Sequence, residues 1–285
     1  MNEAIEALPS LADQLKALQL GAKRSLGQNF LFDLNLTRKI ARSAAPVGQG
    51  TVIEVGPGPG GLTRALLLEG AQHVIAVERD DRFSPILADL SNAAHGRLDV
   101  IFADAQTVKM ADLSESPTQI VANLPYNVGS ALLLGWLMSE PWPPWFNCLT
   151  LMFQKEVALR IVAKPGDKNY GRLSVLAGWR CDAQRLFDVP ATAFVPPPKV
   201  TSAVVQLIPR SKPLPCDPKM LERVTAAAFG QRRKMVRQSL KALPLSAVTL
   251  SELMDRVGLK GTERAENLNV ETYVALANGL AASTG

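Results

Sequence analysis

"TVIEVGPGPGGLTRALLLEG", residues 51–70, passes from a short apolar run into a loop holding Gly56, Gly58, Gly60 and Gly61, then into helical spacing. A strand that turns through glycines into a helix opens a doubly wound α/β domain, where the turn lets a ligand approach the backbone. Strand-length apolar runs recur at 73–78, 99–104, 119–124 and 149–154, with helical spacing at 34–45, 61–70 and 81–94. They are nearly continuous in Val, Ile and Leu rather than alternating, which predicts strands buried on both faces of a parallel sheet. Two later runs, "RLSVLAGW" (172–179) and "SAVVQLIP" (202–209), have no long helix between them and predict an antiparallel finish at the sheet edge. Beyond a proline-rich linker, "IPRSKPLPCDPK" (208–219), the chain reads helical from Met220, with a break at "GLKGTERAENL". The expected fold class is α/β: a doubly wound, mostly parallel, Rossmann-like sheet followed by a small all-helical C-terminal domain.

The loop satisfies both G-x-G-x-G and G-x-G-x-x-G spacing. Glu78 stands 22 residues beyond Gly56, at the end of the next strand, where an acid holds a ribose. An adenosine-type ligand is implied, and Pro57 and Pro59 decide which one. A pyrophosphate is held by backbone N–H groups, and each proline removes one. S-adenosylmethionine needs close backbone approach without a phosphate cradle. Its sulfonium cation also favours nearby acids, which Glu54, Glu78 and Asp104 supply at or near strand ends. These features favour S-adenosylmethionine over NAD. Asp104, in "FADA", would accept a hydrogen bond from the adenine amine, and could cap the segment that follows it.

Composition narrows the class. The 285 residues carry a net charge of +5, and no apolar run reaches membrane-spanning length. The N-terminus, "MNEAIEALPSLADQLKAL", is amphipathic and acidic, unlike a secretory signal or a mitochondrial presequence. Cys148, Cys181 and Cys216 are an odd number, widely spaced, and read as reduced thiols; two histidines are too few for a metal site. A cytoplasmic monomer with no metal and no membrane partner is expected. From Ser211 to Gly285 there are eleven Lys and Arg against seven Asp and Glu, so most of the excess charge lies in the last quarter. Such a basic tail domain suits a polyanion.

"VANLPYNV", residues 121–128, ends the fourth strand beside the expected crevice. The Asn123 amide oxygen and a backbone carbonyl, held apart by Leu124-Pro125, are two acceptors suited to the two hydrogens of an aromatic amine. Drawing those hydrogens out of plane localises the nitrogen lone pair for attack on a methyl group. Tyr126 offers a ring on which the base can stack, and its face favours a sulfonium. A base must be flipped or unpaired to react this way, and Phe194 in "TAFVPPPKV" is the candidate second face.

"KRSLGQNFLFD", "VIEVGPGPGGLT", "VANLPYNV", "FQKEVALRI", "YGRLSV", "FVPPPKVTSAV" and "FGQRRKMVRQSL" stand in order from Lys23 towards the C-terminus. Together they resemble the bacterial small-subunit ribosomal RNA dimethyladenosine transferases, a family of class I S-adenosylmethionine-dependent methyltransferases. The resemblance implies dimethylation at N6 of two neighbouring adenosines near the 3′ end of that RNA, with the assembling small subunit as partner. It also implies cofactor contacts at Asn29, Leu31, Gly56, Glu78, Asp104 and Asn123. The expected layout is an N-terminal extension (1–22) outside the resemblance, a methyltransferase domain (23–210) and a helical RNA-binding domain (211–285). The enzymes that methylate a large-subunit RNA adenine share the Asn-Leu-Pro-Tyr element, but "FGQRRKMVRQSL" favours the small-subunit group. A non-catalytic assembly factor on the same fold is the alternative of another class, and the intact Asn123–Tyr126 element argues against it.

The last basic stretch, "FGQRRKMVRQSLKAL" (229–243), holds no acid. Read as one helix, it buries Phe229, Val236, Leu240 and Leu243 on one side and aligns Arg233, Arg237 and Lys241 on another, with Arg232 and Lys234 beside them. Such a row is expected to follow RNA phosphates.

Overall fold

The computed structural model describes residues 2–23, 26–44, 46–114 and 117–284. Its strands are β1 (Phe30–Leu31), β2 (Thr51–Val55), β3 (His73–Glu78), β4 (Leu98–Phe102), β5 (Thr118–Asn123), β6 (Phe146–Gln154), β7 (Cys181–Val189), β8 (Phe194–Val195) and β9 (Ser202–Pro209). Seven of them form one sheet in the order β4-β3-β2-β5-β6-β9-β7, while β1 and β8 pair separately. From β4 across to β6 the neighbours run parallel, and β9 is antiparallel to β6, as "SAVVQLIP" predicts. The chain enters at β2, winds outward to β3 and β4, then returns to the other side of β2 as β5. The strand order therefore reverses between β2 and β5, and a doubly wound sheet takes its ligand beyond the carboxyl ends at that point. Val52, Ile53, Ile120 and Val121 are fully buried, as strands covered on both faces must be.

"RLSVLAGW" is not a strand. Arg172–Arg180 forms a helix, and the edge strand is the next segment, β7. The Ser174 hydroxyl accepts from the Gly171 N–H at 3.0 Å and donates to the Arg160 carbonyl at 2.5 Å, which closes the first turn. Val175, Leu176, Ala177 and Trp179 are then buried. An apolar run this short fits either period, whereas β7, "CDAQRLFDV", is too polar to be picked out by hydropathy. The helix predicted over 34–45 spans Leu34–Ser43. Ala45, like Arg24 and Ser25 of "KRSLGQNFLFD", lies outside the described residues.

Two compact units emerge. The first comprises Met1–Leu133, Pro144–Ala158 and Gln184–Pro209; the second comprises Leu134–Pro143, Leu159–Ala183 and Arg210–Gly285. Within the second unit the helices Pro218–Gly230 and Val270–Thr284 meet, with Phe229 stacked on Tyr273 at 5.6 Å. Part of "EPWPPWFN" (140–147) also finds a role there. The guanidinium of Arg180, a residue only 2 % exposed, lies 4.4 Å from the Trp142 ring centre and 4.3 Å from that of Trp179.

Residues 229–243 do not form one helix. The first helix stops at Gly230, Gln231–Lys234 make a turn, and Met235 pairs with Arg264 in an antiparallel bridge. Only Val236–Ser239 is α-helical again. Glycine is a poor helix former, and three successive cations with no acid nearby give a helix no charge partners. The chain instead gains the Val236 N–H to Glu263 carbonyl bond at 2.7 Å and an Arg232–Glu266 ion pair at 2.8 Å. Arg233, Arg237 and Lys241 therefore do not share one helical face. The buried side survives, since Val236, Leu240 and Leu243 are all in the core, and Arg233, Lys234, Arg237 and Lys241 remain exposed. Arg232 also donates to the Lys168 carbonyl at 2.5 Å. Arg232→Ala should accordingly lower the thermal midpoint while Arg233→Ala leaves it unchanged; equal losses in calorimetry would contradict the structural assignment of Arg232.

Candidate active site

A cleft of about 1070 Å³, its open mouth included, lies in the first unit. It is walled by Leu26–Leu31, the loop after β2, the tips of β3 and β4, and the segment after β5. Asn29, Leu31, Gly56, Glu78, Asp104, Asn123, Leu124, Pro125 and Tyr126 all line it. Phe194 does not. It pairs with Leu31 across β1–β8, and its 2 % exposed side chain belongs to the core cluster that holds Ile40, Val121 and Met152. Its ring surface is taken up by that core, so the expected second stacking face is not presented to the cleft. Arg232, Arg233, Lys234 and Arg237 belong to the second unit.

The glycine loop is closed on itself. Gly56, Gly58 and Gly60 have φ of +71°, +55° and +90°. A side chain at Gly58 would be strained by the φ of +55°, and its Cβ would stand 3.3 Å from the Phe30 ring, which would have to give way. Each of the three N–H groups already has an acceptor: Gly56 donates to the Val77 carbonyl at 2.9 Å, Gly58 to Glu78 Oε2 at 2.8 Å, and Gly60 to the Pro57 carbonyl at 2.9 Å. Pro57 and Pro59 have no N–H to offer. Between Gly56 and Gly60 no donor is left over for a phosphate.

Acids surround this loop. Glu78, 5 % exposed, also accepts from the Asp80 N–H at 2.7 Å. Burial raises its pKa, and the backbone N–H groups of Asp80, Gly58 and Arg79 oppose the rise. Glu54 is 1 % exposed and its Oε2 has no hydrogen-bond partner. Burial pushes its pKa up to about 8 and the nearby Glu78 adds to that; the Thr63 hydroxyl offsets part of it although it makes no well-formed hydrogen bond. Asp104 accepts from the Gln106 N–H at 3.0 Å, and its other oxygen lies 3.3 Å from Arg79 Nη1.

Asn123 is held by its amine side. Its Nδ2 donates to the Asn29 carbonyl at 3.3 Å, an assignment that leaves Oδ1 as a free-standing acceptor. The Pro125 carbonyl accepts from Val128 and Gly129 at 3.2 and 3.0 Å, whereas no hydrogen bond among the described residues reaches the Leu124 carbonyl. Oδ1 and the Leu124 oxygen are thus two acceptors at the end of β5 without a partner among the described residues. Half-buried Tyr126 is fixed by a hydrogen bond of 2.6 Å between its hydroxyl and Ser202 Oγ on β9. Neither Ser202 nor the bond from Asn29 is signalled locally, because each partner is remote in sequence.

Comparison with known proteins agrees with this geometry. The family described as ribosomal RNA adenine dimethylase matches residues 19–282. The chain is 58 % identical to ribosomal RNA small subunit methyltransferase A of Xanthobacter autotrophicus, over 98 % of this chain and 96 % of the relative. It is also 58 % identical to the protein of that name from Agrobacterium fabrum, over 97 % and 99 %. The family match begins at residue 19, so most of residues 1–22 lie outside it as expected, while the alignments with these two relatives run over nearly the whole chain. Among solved structures, a dimethyladenosine transferase from Plasmodium falciparum superposes with a TM-score of 0.72 at 25 % identity, over 87 % of this chain and 95 % of that one. The 23S rRNA methyltransferase ErmE gives 0.66 at 27 % identity, over 89 % and 100 %. A match this long, on a sheet whose switch point carries the Asn-Leu-Pro-Tyr element, places the chain in the ribosomal RNA adenine dimethylase family.

Proposed function

We propose that this protein transfers methyl groups from S-adenosylmethionine to the exocyclic N6 amine of two adjacent adenosines near the 3′ end of small-subunit ribosomal RNA, within the assembling subunit. The observation that carries the reading is the pinned Asn123 amide: its Oδ1 and the carbonyl of the next residue, Leu124, have no hydrogen-bond partner among the described residues, and both residues line the cleft.

The residues of the cleft fit the cofactor. From Gly56 to Gly60 the loop offers close backbone approach but no free N–H for a phosphate, which disfavours a dinucleotide. The second pair of carboxylate lone pairs on Glu78 remains available to ribose hydroxyls, and Asp104 stands where an adenine amine would reach it. Asn29 and Leu31 would border the methionine end. A sulfonium bound near the partnerless Glu54 oxygen would favour release of the proton that burial keeps there. When bound, the cofactor supplies an electrophilic methyl on a sulfonium.

Asn123 Oδ1 and the Leu124 carbonyl would each accept one hydrogen of the target amine. Holding both hydrogens off the plane of the base localises the nitrogen lone pair, and because the acceptors are fixed in advance they need no reorganisation as charge develops. Tyr126, braced by Ser202, would stack on the base. In the second unit the exposed Arg233, Lys234 and Arg237 would take RNA phosphates, with Arg232 supporting their turn through Glu266. Identity with the small-subunit relatives is far higher than with the 23S enzyme, which favours the small-subunit substrate.

Asn123→Ala should leave S-adenosylmethionine affinity within several-fold in calorimetry yet lower methyl transfer by about a hundredfold or more; near wild-type turnover would remove Asn123 from the mechanism. Replacing Arg233 and Arg237 by Gln should weaken binding to the ribosomal substrate and flatten the slope of log affinity against log salt, since fewer counterions are released. An unchanged slope would assign these side chains to solvent. Glu54 gives a pH prediction. The folded chain keeps a proton on Glu54 that the unfolded chain releases above about 4.5, so the wild type loses stability as pH rises from there to about 8. Glu54→Gln removes that loss, and its thermal midpoint should gain on the wild type at about pH 9 and not at about pH 4. A gain independent of pH would mean that folding does not raise the Glu54 pKa.

A further inference from the structure

Asp80 follows Glu78 and Arg79 at the tip of β3, is 4 % exposed, and does not line the cleft. Capping the short turn Asp81–Phe83 needs only one bond, from the Arg82 N–H. Its carboxylate accepts from four donors: that N–H at 3.4 Å, Arg82 Nε at 2.8 Å, Arg82 Nη2 at 2.6 Å and Gln28 Nε2 at 2.9 Å. The Arg82 fork, with Gln28 adding to it, holds the Asp80 pKa down to about 2, so the acceptor stays charged at any working pH. Gln28 in turn accepts from the Lys23 N–H at 2.8 Å, and Arg82 Nη2 reaches the Gly21 carbonyl at 3.3 Å. One residue beyond Gln28 is Asn29, whose carbonyl holds the Asn123 amide. Asp80 also donates its own N–H to Glu78, which accepts from Gly58 in the glycine loop.

We propose that Asp80 is a positioning residue: by fixing Gln28 it docks the Gly27–Asn29 backbone against the cleft, and so sets the carbonyl that orients Asn123. The proposal rests on the methyltransferase reading of the site. If the docked backbone is the binding-competent state, apparent cofactor affinity scales with the fraction of molecules that hold it, and the Asp80–Gln28 bond sets that fraction. A bond to a charged acceptor is strong enough to matter on this scale.

The test compares full-length wild type, Asp80→Asn, Gln28→Ala and the double variant. Amide exchange over Leu26–Leu31 is measured without ligand, and S-adenosylmethionine affinity is measured by calorimetry. Both single variants should accelerate exchange at 26–31 while β2 and β3 keep their protection. Both should weaken cofactor binding by about tenfold, as expected for one lost charge-assisted bond. The double variant should be no worse than the weaker single variant, because both changes break the same contact. Additive losses, unchanged exchange at 26–31, or faster exchange spread evenly through β2 and β3 would each overturn the proposal. Should Asp80→Asn fail to fold, ligand-free exchange at 26–31 in Gln28→Ala still decides: that variant leaves the Arg82 fork intact, and the readout does not depend on Gln28 lining the cleft. A wild type that bound no S-adenosylmethionine would instead remove the functional reading, and the exchange data would still report on the docking.

Discussion

A buried carboxylate with two backbone N–H groups on it governs the cleft. Burial at 5 % exposure raises the Glu78 pKa, and the N–H groups of Gly58 and Asp80 that it accepts from oppose the rise. Taking the Gly58 N–H has a second effect, because it removes the one donor in the middle of the loop that a pyrophosphate would need. The bond that stabilises the acid thus also sets the ligand class. With the flanking prolines, the loop from Gly56 to Gly60 becomes a close surface with no free N–H for a phosphate. The strand order leads to the same place, since the β2–β5 reversal is where the sheet opens and where Gly56 comes to face Pro125.

The parallel part of the sheet was legible because strands buried on both faces leave an unbroken apolar signature. Runs at 73–78 and 119–124 became β3 and β5 with shifts of at most one residue. Legibility failed where another force outweighed the local pattern. Arg172–Arg180 is as apolar as a strand, yet a side-chain cap from Ser174 and burial around Trp179 make it a helix. Residues 229–243 have helical spacing, yet Gly230 and a run of cations break it, and Arg264 and Glu266 provide the replacement contacts. Phe194 is a candidate stacking face from its place in the proline-rich "TAFVPPPKV", but its strand pairing with Leu31 directs it into the core.

The acceptors proposed around Asn123 are read from residue types, and their geometry is not. Two acceptors at a strand end follow from the residue types in "NLPY". Which way the amide turns depends on the Asn29 carbonyl, 94 residues away in the chain, and the pose of Tyr126 depends on Ser202, 76 residues away. Bonds of this kind connect elements that only the folded sheet brings together. They also explain why an amide suits position 123: an acid could accept from the substrate but could not donate to Asn29, and so would lose the bond that aims it.

The N-terminal residues illustrate how a segment remote from the chemistry can still shape it. Leu11 and Leu15 are buried with Phe30, Phe83, Ile86 and Leu87, and burying such side chains contributes about 1.5–3 kcal/mol each. Arg64 donates to the Pro9 carbonyl at 3.1 Å, and Asn2 to the Leu68 carbonyl at 3.2 Å, so both ends of this stretch are tied to the helix after the glycine loop. That helix must in turn admit β1 very closely. A Cβ on Gly61 would stand 2.4 Å from the Leu31 carbonyl and 3.3 Å from Leu11, so glycine is required there for contact rather than for ligand. Phe30 and Leu31, pressed between this layer and the loop, form the cleft wall next to Asn29. The amphipathic start of the chain is therefore the outer support of the wall that carries the Asn123-orienting carbonyl, and its apolar residues are under the same packing constraint as the glycine loop itself.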